Sequence, residues 1–239
     1  MASLARQKET LTPKGLRTRV RIVDAAAELI YERGVTATTL EDVKTAAAVS
    51  SSQLYHYFAN KEALVQAVID RQADTLVAAT EHAELGTVDG LRAWRELVLT
   101  QAEHTGGKGG CPLGSLGSQL AESDPDARAR TAAGFGRWST AIRDGLRTLH
   151  ISGHLAPDIN PDDLAVTLLA ALQGGLLLAQ VQRNTRPLQA TLDTLLALAQ
   201  RCPNQPQPPQ PSTKSSSPSN VGDMSKSVAY SREQPQRRV

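Results

Sequence analysis

The stretch TTLEDVKTAAAVSSSQLYHYFANK, residues 38–61, carries two helix start signals separated only by a short turn. Thr38 followed by Glu41 three positions on is the pattern of a capping box, in which a hydroxyl and a carboxylate satisfy two backbone N–H groups left over at a helix start. Leu40, Val43 and Ala47 recur at i, i+3 and i+7 and fall on one face. The second start has Ser50 as the cap, Gln53 three residues later, and Val49 ahead of the cap, placed to pack on Leu54. Two capped helices this close together must cross at an angle, which makes a helix-turn-helix.

At about 100° per residue, Ser51, Ser52, Tyr55 and His56 lie within an arc of roughly 140°, while Leu54 and Phe58 point toward the first helix. The arc is polar and uncharged. Small hydroxyls permit close approach to a nucleic-acid groove, and Gln53 carries the donor and acceptor pair that matches N6 and N7 of adenine. Tyr55, His56 and Lys61 have the reach for phosphate oxygens. The same spacing also fits an ordinary helical hairpin with a solvated polar face, in which Gln53 only closes its capping box. Spacing by itself leaves both readings open.

The run Leu54-Tyr55-His56-Tyr57-Phe58-Ala59-Asn60-Lys61-Glu62-Ala63-Leu64, with Val49-Ser50 ahead of it, resembles the signature of TetR-family transcriptional repressors. The likeness covers about a quarter of the chain, residues 17–71. It departs at Ala48, where the family usually has a glycine in the turn; alanine at positive φ costs about 1 kcal/mol and does not forbid the turn. The resemblance implies double-stranded operator DNA as a partner, touched by Thr39, Ser51, Ser52, Gln53, Tyr55, His56 and Lys61, with Thr38 and Tyr57 beside them in the candidate set. It also implies a homodimer in which the last two helices, over residues 162–184 and 188–201, build a four-helix bundle.

Of the 239 residues, 40% are hydrophobic and only 3% aromatic, so the core must be built mainly from Leu, Ala, Val and Ile, which suits helix packing. The net charge of +2 says little about nucleic acid, because a DNA-binding surface is a local matter. Locally, Arg6, Lys8, Lys14, Arg17, Arg19 and Arg21 face only Glu9 ahead of the reading unit, a distribution that suits phosphate attraction. No apolar run is judged long enough to span a bilayer, and the first residues lack the apolar centre of a signal peptide, so a cytoplasmic protein with no membrane partner is expected.

Along the chain, a first helix is expected over 17–33, stopped by Gly34, and a long helix from Asn60 toward Glu84. Leu91, Trp94, Val98 and Ala102 mark the next. Leu113, Leu116 and Leu120 mark a short one; Asp124-Pro125 and Asn160-Pro161 start two longer ones, and Leu188 to Ala199 closes the series. No segment reads as a strand, so the fold class is all-α: an N-terminal three-helix helix-turn-helix domain followed by a C-terminal helical ligand-binding and dimerisation domain. The expected divisions are a basic flexible arm over 1–16, the DNA-binding domain over 17–71, the effector and dimerisation domain over 72–202, and a disordered Pro/Gln/Ser-rich tail over 203–239.

The Gly-rich run from Gly106 to Gly110 is no phosphate-binding loop, because Lys108 is followed by glycine instead of Ser or Thr and a helix precedes it. No catalytic signature or metal-ligand spacing is present, so neither an enzyme, a cofactor nor a metal site is expected. Cys111 and Cys202 do not form a paired motif. Cys111, at a helix start, invites the idea of a lowered thiol pKa, against the plainer reading of a small buried hydrophobe.

The segment GGCPLGSLGSQLAE, residues 109–122, resembles a branch of the TetR family associated with drug and flavonoid responses. That implies a small hydrophobic effector, with Trp94, Cys111, Phe135, Trp138 and Gln173 as candidate pocket residues. The long helix starting at Lys61 is the expected lever between pocket and reading head. The functional expectation is a sequence-specific DNA-binding regulator, a repressor released from a palindromic operator by an apolar effector. The alternative is a helical ligand-binding or protein-interaction module that reads no DNA.

Overall fold

A computed structural model describes residues 11–200. The basic arm residues Arg6 and Lys8, Cys202 and the Pro/Gln/Ser-rich tail lie outside them. Among the described residues the chain forms nine helices and no strand: α1 (Pro13–Ala37), α2 (Leu40–Ala46), α3 (Ser51–Tyr57), α4 (Lys61–His82), α5 (Val88–His104), α6 (Pro112–Leu120), α7 (Pro125–Ile151), α8 (Pro161–Gln182) and α9 (Arg186–Ala199).

Helix α1 begins four residues earlier than the apolar stripe suggests. Thr12 caps it through Gly15 N–H, and Pro13 supplies a first-turn residue that needs no hydrogen-bond acceptor. Residues 13–16 therefore belong to the helix and not to an arm. Gly34 interrupts α1 at φ 84°, as its place after the stripe anticipates, and Val35 to Ala37 form a further turn leading to α2. Ile22, Val23, Ala26 and Ile30 of α1 pack with Val43, Leu54, Phe58, Leu64 and Ile69 into the core of the reading head.

The chain then enters α4, which runs past the expected domain division near residue 71 without a break and packs on both α1 and α7. Head and body are one compact unit. Within the body the buried indole N–H of Trp138 donates to the Thr80 hydroxyl at 2.8 Å, joining α7 to α4. Arg147 makes a two-pronged contact with Asp162 at 2.9 and 2.7 Å, joining α7 to the start of α8. Arg95 donates to Asp193 at 2.5 Å, joining α5 to α9.

Contrary to the sequence expectation, α8 is long and apolar enough to cross a membrane by length and composition. Two apolar faces on one helix explain it. Leu164, Leu168, Leu172, Gly175 and Ala179 are buried within the protomer, while Val166, Leu177, Leu178 and Val181 are 46–73% exposed on the other side.

Candidate nucleic-acid interface and effector cavity

The capping in the reading head is shifted by one residue from the sequence reading. Thr39, not Thr38, caps α2. Its hydroxyl accepts from Asp42 N–H at 3.1 Å, and the Asp42 carboxylate accepts from the Thr39 backbone N–H at 2.9 Å and from its hydroxyl at 2.7 Å. These two contacts, helped by nearby Arg33, hold the Asp42 carboxyl below the usual carboxylate range. Glu41 instead pairs with Lys44. Thr38 is buried and donates its hydroxyl to the Gly34 carbonyl at 2.9 Å, so it holds the corner and offers nothing outward.

Between α2 and α3, Ala48 adopts φ 49°, the left-handed conformation that the missing glycine would take without strain. Arg21 closes the turn from α1 by donating to the Ala47 carbonyl at 2.9 Å. Ser50 then caps α3 through Gln53 N–H at 3.2 Å, while Gln53 Oε1 accepts from Ser50 N–H at 2.9 Å. With that oxygen engaged, Gln53 presents its amide donors but not the paired acceptor that adenine readout requires.

Leu54 and Phe58 anchor α3 in the core, and this fixes which side is left outside. Ser51, Ser52, Gln53, Tyr55 and His56 are all exposed, Tyr55 at 57%. Tyr57 is half-buried, edge-on to His56 with ring centres 4.9 Å apart, and packs against the core. Lys61, at the first turn of α4, has its ammonium 3.5 Å from the Thr36 carbonyl. The structure thus presents Thr39, Ser51, Ser52, Tyr55 and His56 together with the donor end of Gln53, and turns Thr38 inward.

A cavity of about 320 Å³ lies in the body. Its walls are Leu76 and Ala79 of α4, Trp94, Leu97 and Val98 of α5, Trp138 of α7, and Leu172 and Leu176 of α8, with Cys111 and Pro112 at the head of α6. Among the described residues, Lys108 is the one formally charged residue in the lining, and no carboxylate joins it. Of the candidate pocket residues, Trp94, Cys111 and Trp138 stand in the wall. Phe135 and Gln173 do not. Phe135 backs the Trp138 ring, stacked at 6.4 Å, and Gln173 lies behind Cys111, with its side-chain oxygen against Gly114 and its nitrogen buried without a partner.

Cys111 caps α6, its sulfur accepting from Gly114 N–H at 3.4 Å, yet burial outweighs the helix start and pushes the thiol pKa up. That is the behaviour of a packed thiol, not of an activated one. Among the described residues no group of three or more His, Cys, Asp or Glu is placed to hold a metal.

Comparison with known proteins assigns both halves. Residues 22–68 match the family of bacterial regulatory proteins, tetR family, and residues 87–194 match the C-terminal domain of LmrA/YxaF-like transcriptional regulators. An uncharacterised HTH-type transcriptional regulator of Mycobacterium tuberculosis is 32% identical over 179 residues, covering 71% of this chain and 88% of the relative. The chain belongs to the TetR family. It is a DNA-binding transcriptional regulator, and the families it matches are regulators, not enzymes. The repressor DhaR of a Mycobacterium species is 26% identical over 182 residues, 74% of this chain and 90% of DhaR. The fold superposes on SmeT, solved as a complex with triclosan, with a TM-score of 0.60 at 23% identity, covering 82% of this chain and 99% of that one.

In this TetR-family member, Tyr31, Gln72, Thr75, Leu97 and Gln101 also line the cavity, though sequence reasoning missed them. Their signal was weak. All but Leu97 are polar, Leu97 falls outside the Leu91, Trp94, Val98 and Ala102 stripe of α5, and only the assembly of α1, α4 and α5 turns them to one space.

Proposed function

We propose that the protein acts in the cytoplasm as a homodimeric repressor, that each α3 enters the major groove of a palindromic operator half-site, and that a small, mainly apolar molecule in the cavity releases it. The observation that carries the DNA contact is the exposed, uncharged face of α3 on a helix whose opposite side is anchored by Leu54 and Phe58. Tyr55, His56 and Lys61 supply phosphate contacts, and Ser51, Ser52 and the amide donors of Gln53 approach the bases. The dimer forms through the outer apolar faces of α8 and α9, where Leu177 and Val181 are exposed and Leu198 partly so among the described residues. The cavity supports the effector, since ligand sites are concave and mainly apolar with a few polar groups, and this one sits at the small end of their usual range of about 300–1,000 Å³. Triclosan bound to SmeT is a precedent for an apolar aromatic ligand on this fold.

Selection of duplexes from a random pool, followed by fluorescence anisotropy at several salt concentrations, tests this function. The expected result is a palindromic consensus bound far more tightly than random duplex, with Ser52→Ala and Tyr55→Ala weakening it. Enrichment of no sequence would refute the palindromic-operator reading.

A further inference from the structure

The cavity in the body has two unlike ends. Gln72 and Thr75 of α4 and Gln101 and Thr105 of α5 line one of them. Tyr31 of α1 joins them, standing beside Gln72 and donating its hydroxyl to the Lys108 carbonyl at 2.9 Å. About two turns away along each helix, at Ala79 of α4 and Trp94 of α5, the wall is apolar and is completed by Trp138 and Leu172. At 1.5 Å per residue the two ends lie about 10 Å apart.

The polar groups of the two ends differ in what they still offer. At the apolar end the Thr80 hydroxyl is used twice, accepting from the Trp138 indole N–H at 2.8 Å and donating to the Leu76 carbonyl at 2.9 Å. At the other end Thr75 and Thr105 donate to the Arg71 and Ala102 carbonyls at 2.9 and 3.1 Å, while the side-chain amides of Gln72 and Gln101 have no partner among the described residues. Lys108 is held there by its backbone. Its N–H donates to the Thr105 carbonyl at 3.1 Å, and Gly109 after it lies so close to the Tyr31 ring that a methyl would stand 1.9 Å away. The Lys108 ammonium makes no ion pair among the described residues. Arg183 donates to the Gly107 carbonyl at 3.4 Å, so a second cation stands by the same end.

Charge then decides the class of ligand. A cation in the cavity would meet Lys108 and no carboxylate, and a wholly apolar molecule would leave the ammonium and both amides without a partner. A head group that only accepts, placed among amide donors and an ammonium, makes charge-assisted hydrogen bonds. We propose that the cavity takes an aromatic carboxylic acid, its ring against Trp94 and Trp138 and its carboxylate at Lys108, Gln72 and Gln101, with Lys108 determining the preference for the acid. This names the ligand class of the effector site and rests on the effector-release reading.

The chain has two tryptophans, Trp94 and Trp138, and both stand in the cavity wall, so their fluorescence reports occupancy while calorimetry gives affinity. The probes are 4-phenylbutyrate, 2-naphthoate and biphenyl-4-carboxylate, each beside its primary amide, which keeps the shape and loses the charge. With the full chain at low salt, at least one acid is expected to bind about ten-fold tighter than its amide, as a hydrogen bond to a charged group allows. Added salt should narrow the difference, because Lys108 is exposed. Lys108→Gln should bring the acid to the level of its amide, and Lys108→Arg should keep the preference. Amides bound as tightly as the acids, equal loss of acid and amide binding in Lys108→Gln, or binding by none of the three acids would overturn the proposal. The acid–amide comparison on the parent needs no variant and decides the matter should Lys108→Gln lose its fold. Release of the selected operator is read separately by anisotropy. An acid that binds without releasing DNA sinks the effector-release reading and leaves the carboxylate site, whereas release by amides and not by acids sinks the site and leaves that reading.

Discussion

Two adjacent threonines divide the work at the corner before α2. Thr39 closes the capping box with Asp42, whereas Thr38 points inward to the Gly34 carbonyl. Thr38→Val is therefore expected to lower the melting temperature and leave the selectivity for operator bases unchanged; altered base preference in a duplex selection would place Thr38 at the DNA after all. The Asp42 contacts also set a sign for acid behaviour. A carboxylate held below its usual range contributes stability above its unfolded pKa of about 3.9 and loses it as pH falls through the folded value. Asp42→Asn should flatten the fall in urea-unfolding stability across that acidic window, and an unchanged acid limb would remove Asp42 from the account. At α3, Ser50→Ala is expected to cost about 1 kcal/mol through loss of the cap, read as a lower denaturation midpoint with unchanged slope.

The elements were legible where their start signals are local. Asp124-Pro125 and Asn160-Pro161 each supply a side-chain oxygen and a residue with no N–H to satisfy, and α7 and α8 begin there. The one-residue shift at Thr38 arose because Glu41 and Asp42 both suit the box, and only burial of Thr38 decides between them. The cavity wall was less legible. Which of Leu172 and Gln173 meets the cavity depends on how α8 is rotated against α6 and α7, and periodicity within one helix does not contain that rotation. The paired glycines of α8 separate the same two sides. A methyl on Gly175 would lie 2.9 Å from the Leu188 backbone, inside the protomer, whereas one on Gly174 meets nothing within 4 Å. Gly175→Ala should therefore cost about 1–3 kcal/mol by forcing α8 from α9. Gly174→Ala should leave protomer stability intact, or raise it by up to about 1 kcal/mol through helix propensity, and change only the dimer dissociation constant. Sedimentation equilibrium beside thermal unfolding separates the two, and equal thermal losses would contradict the packing.

At the scale of the whole molecule, the dimer proposed above would make the outer face of α8 link assembly to DNA reading. Val166, Leu177, Leu178 and Val181 leave a stripe of apolar surface exposed on a single protomer, the kind of patch that marks an interaction site. Covering it with a second copy places two α3 helices at a separation fixed by the bodies, and an effector need only alter that separation. Turning a mostly competent population into a mostly released one takes about 5.5 kcal/mol of differential affinity, so in a dimer the molecule bound in each cavity has to supply about half. Rigid spacing has a consequence that a flexible pair of heads would not share. Half-sites one helical turn apart, about 34–36 Å or a multiple, face the dimer together, and inserting half a turn, about five base pairs, rotates one of them away. The insertion is expected to abolish tight binding by the parent. Leu177→Asp/Val181→Asp should yield a folded protomer that binds each half-site weakly, ignores the insertion, and shows about half the parent's slope of log K against log salt, since half as many phosphates are neutralised. Anisotropy titrations on the two spacings measure both effects. A parent that tolerates the insertion would mean that the bodies do not fix the heads, and the cavity would then have no geometry to disturb.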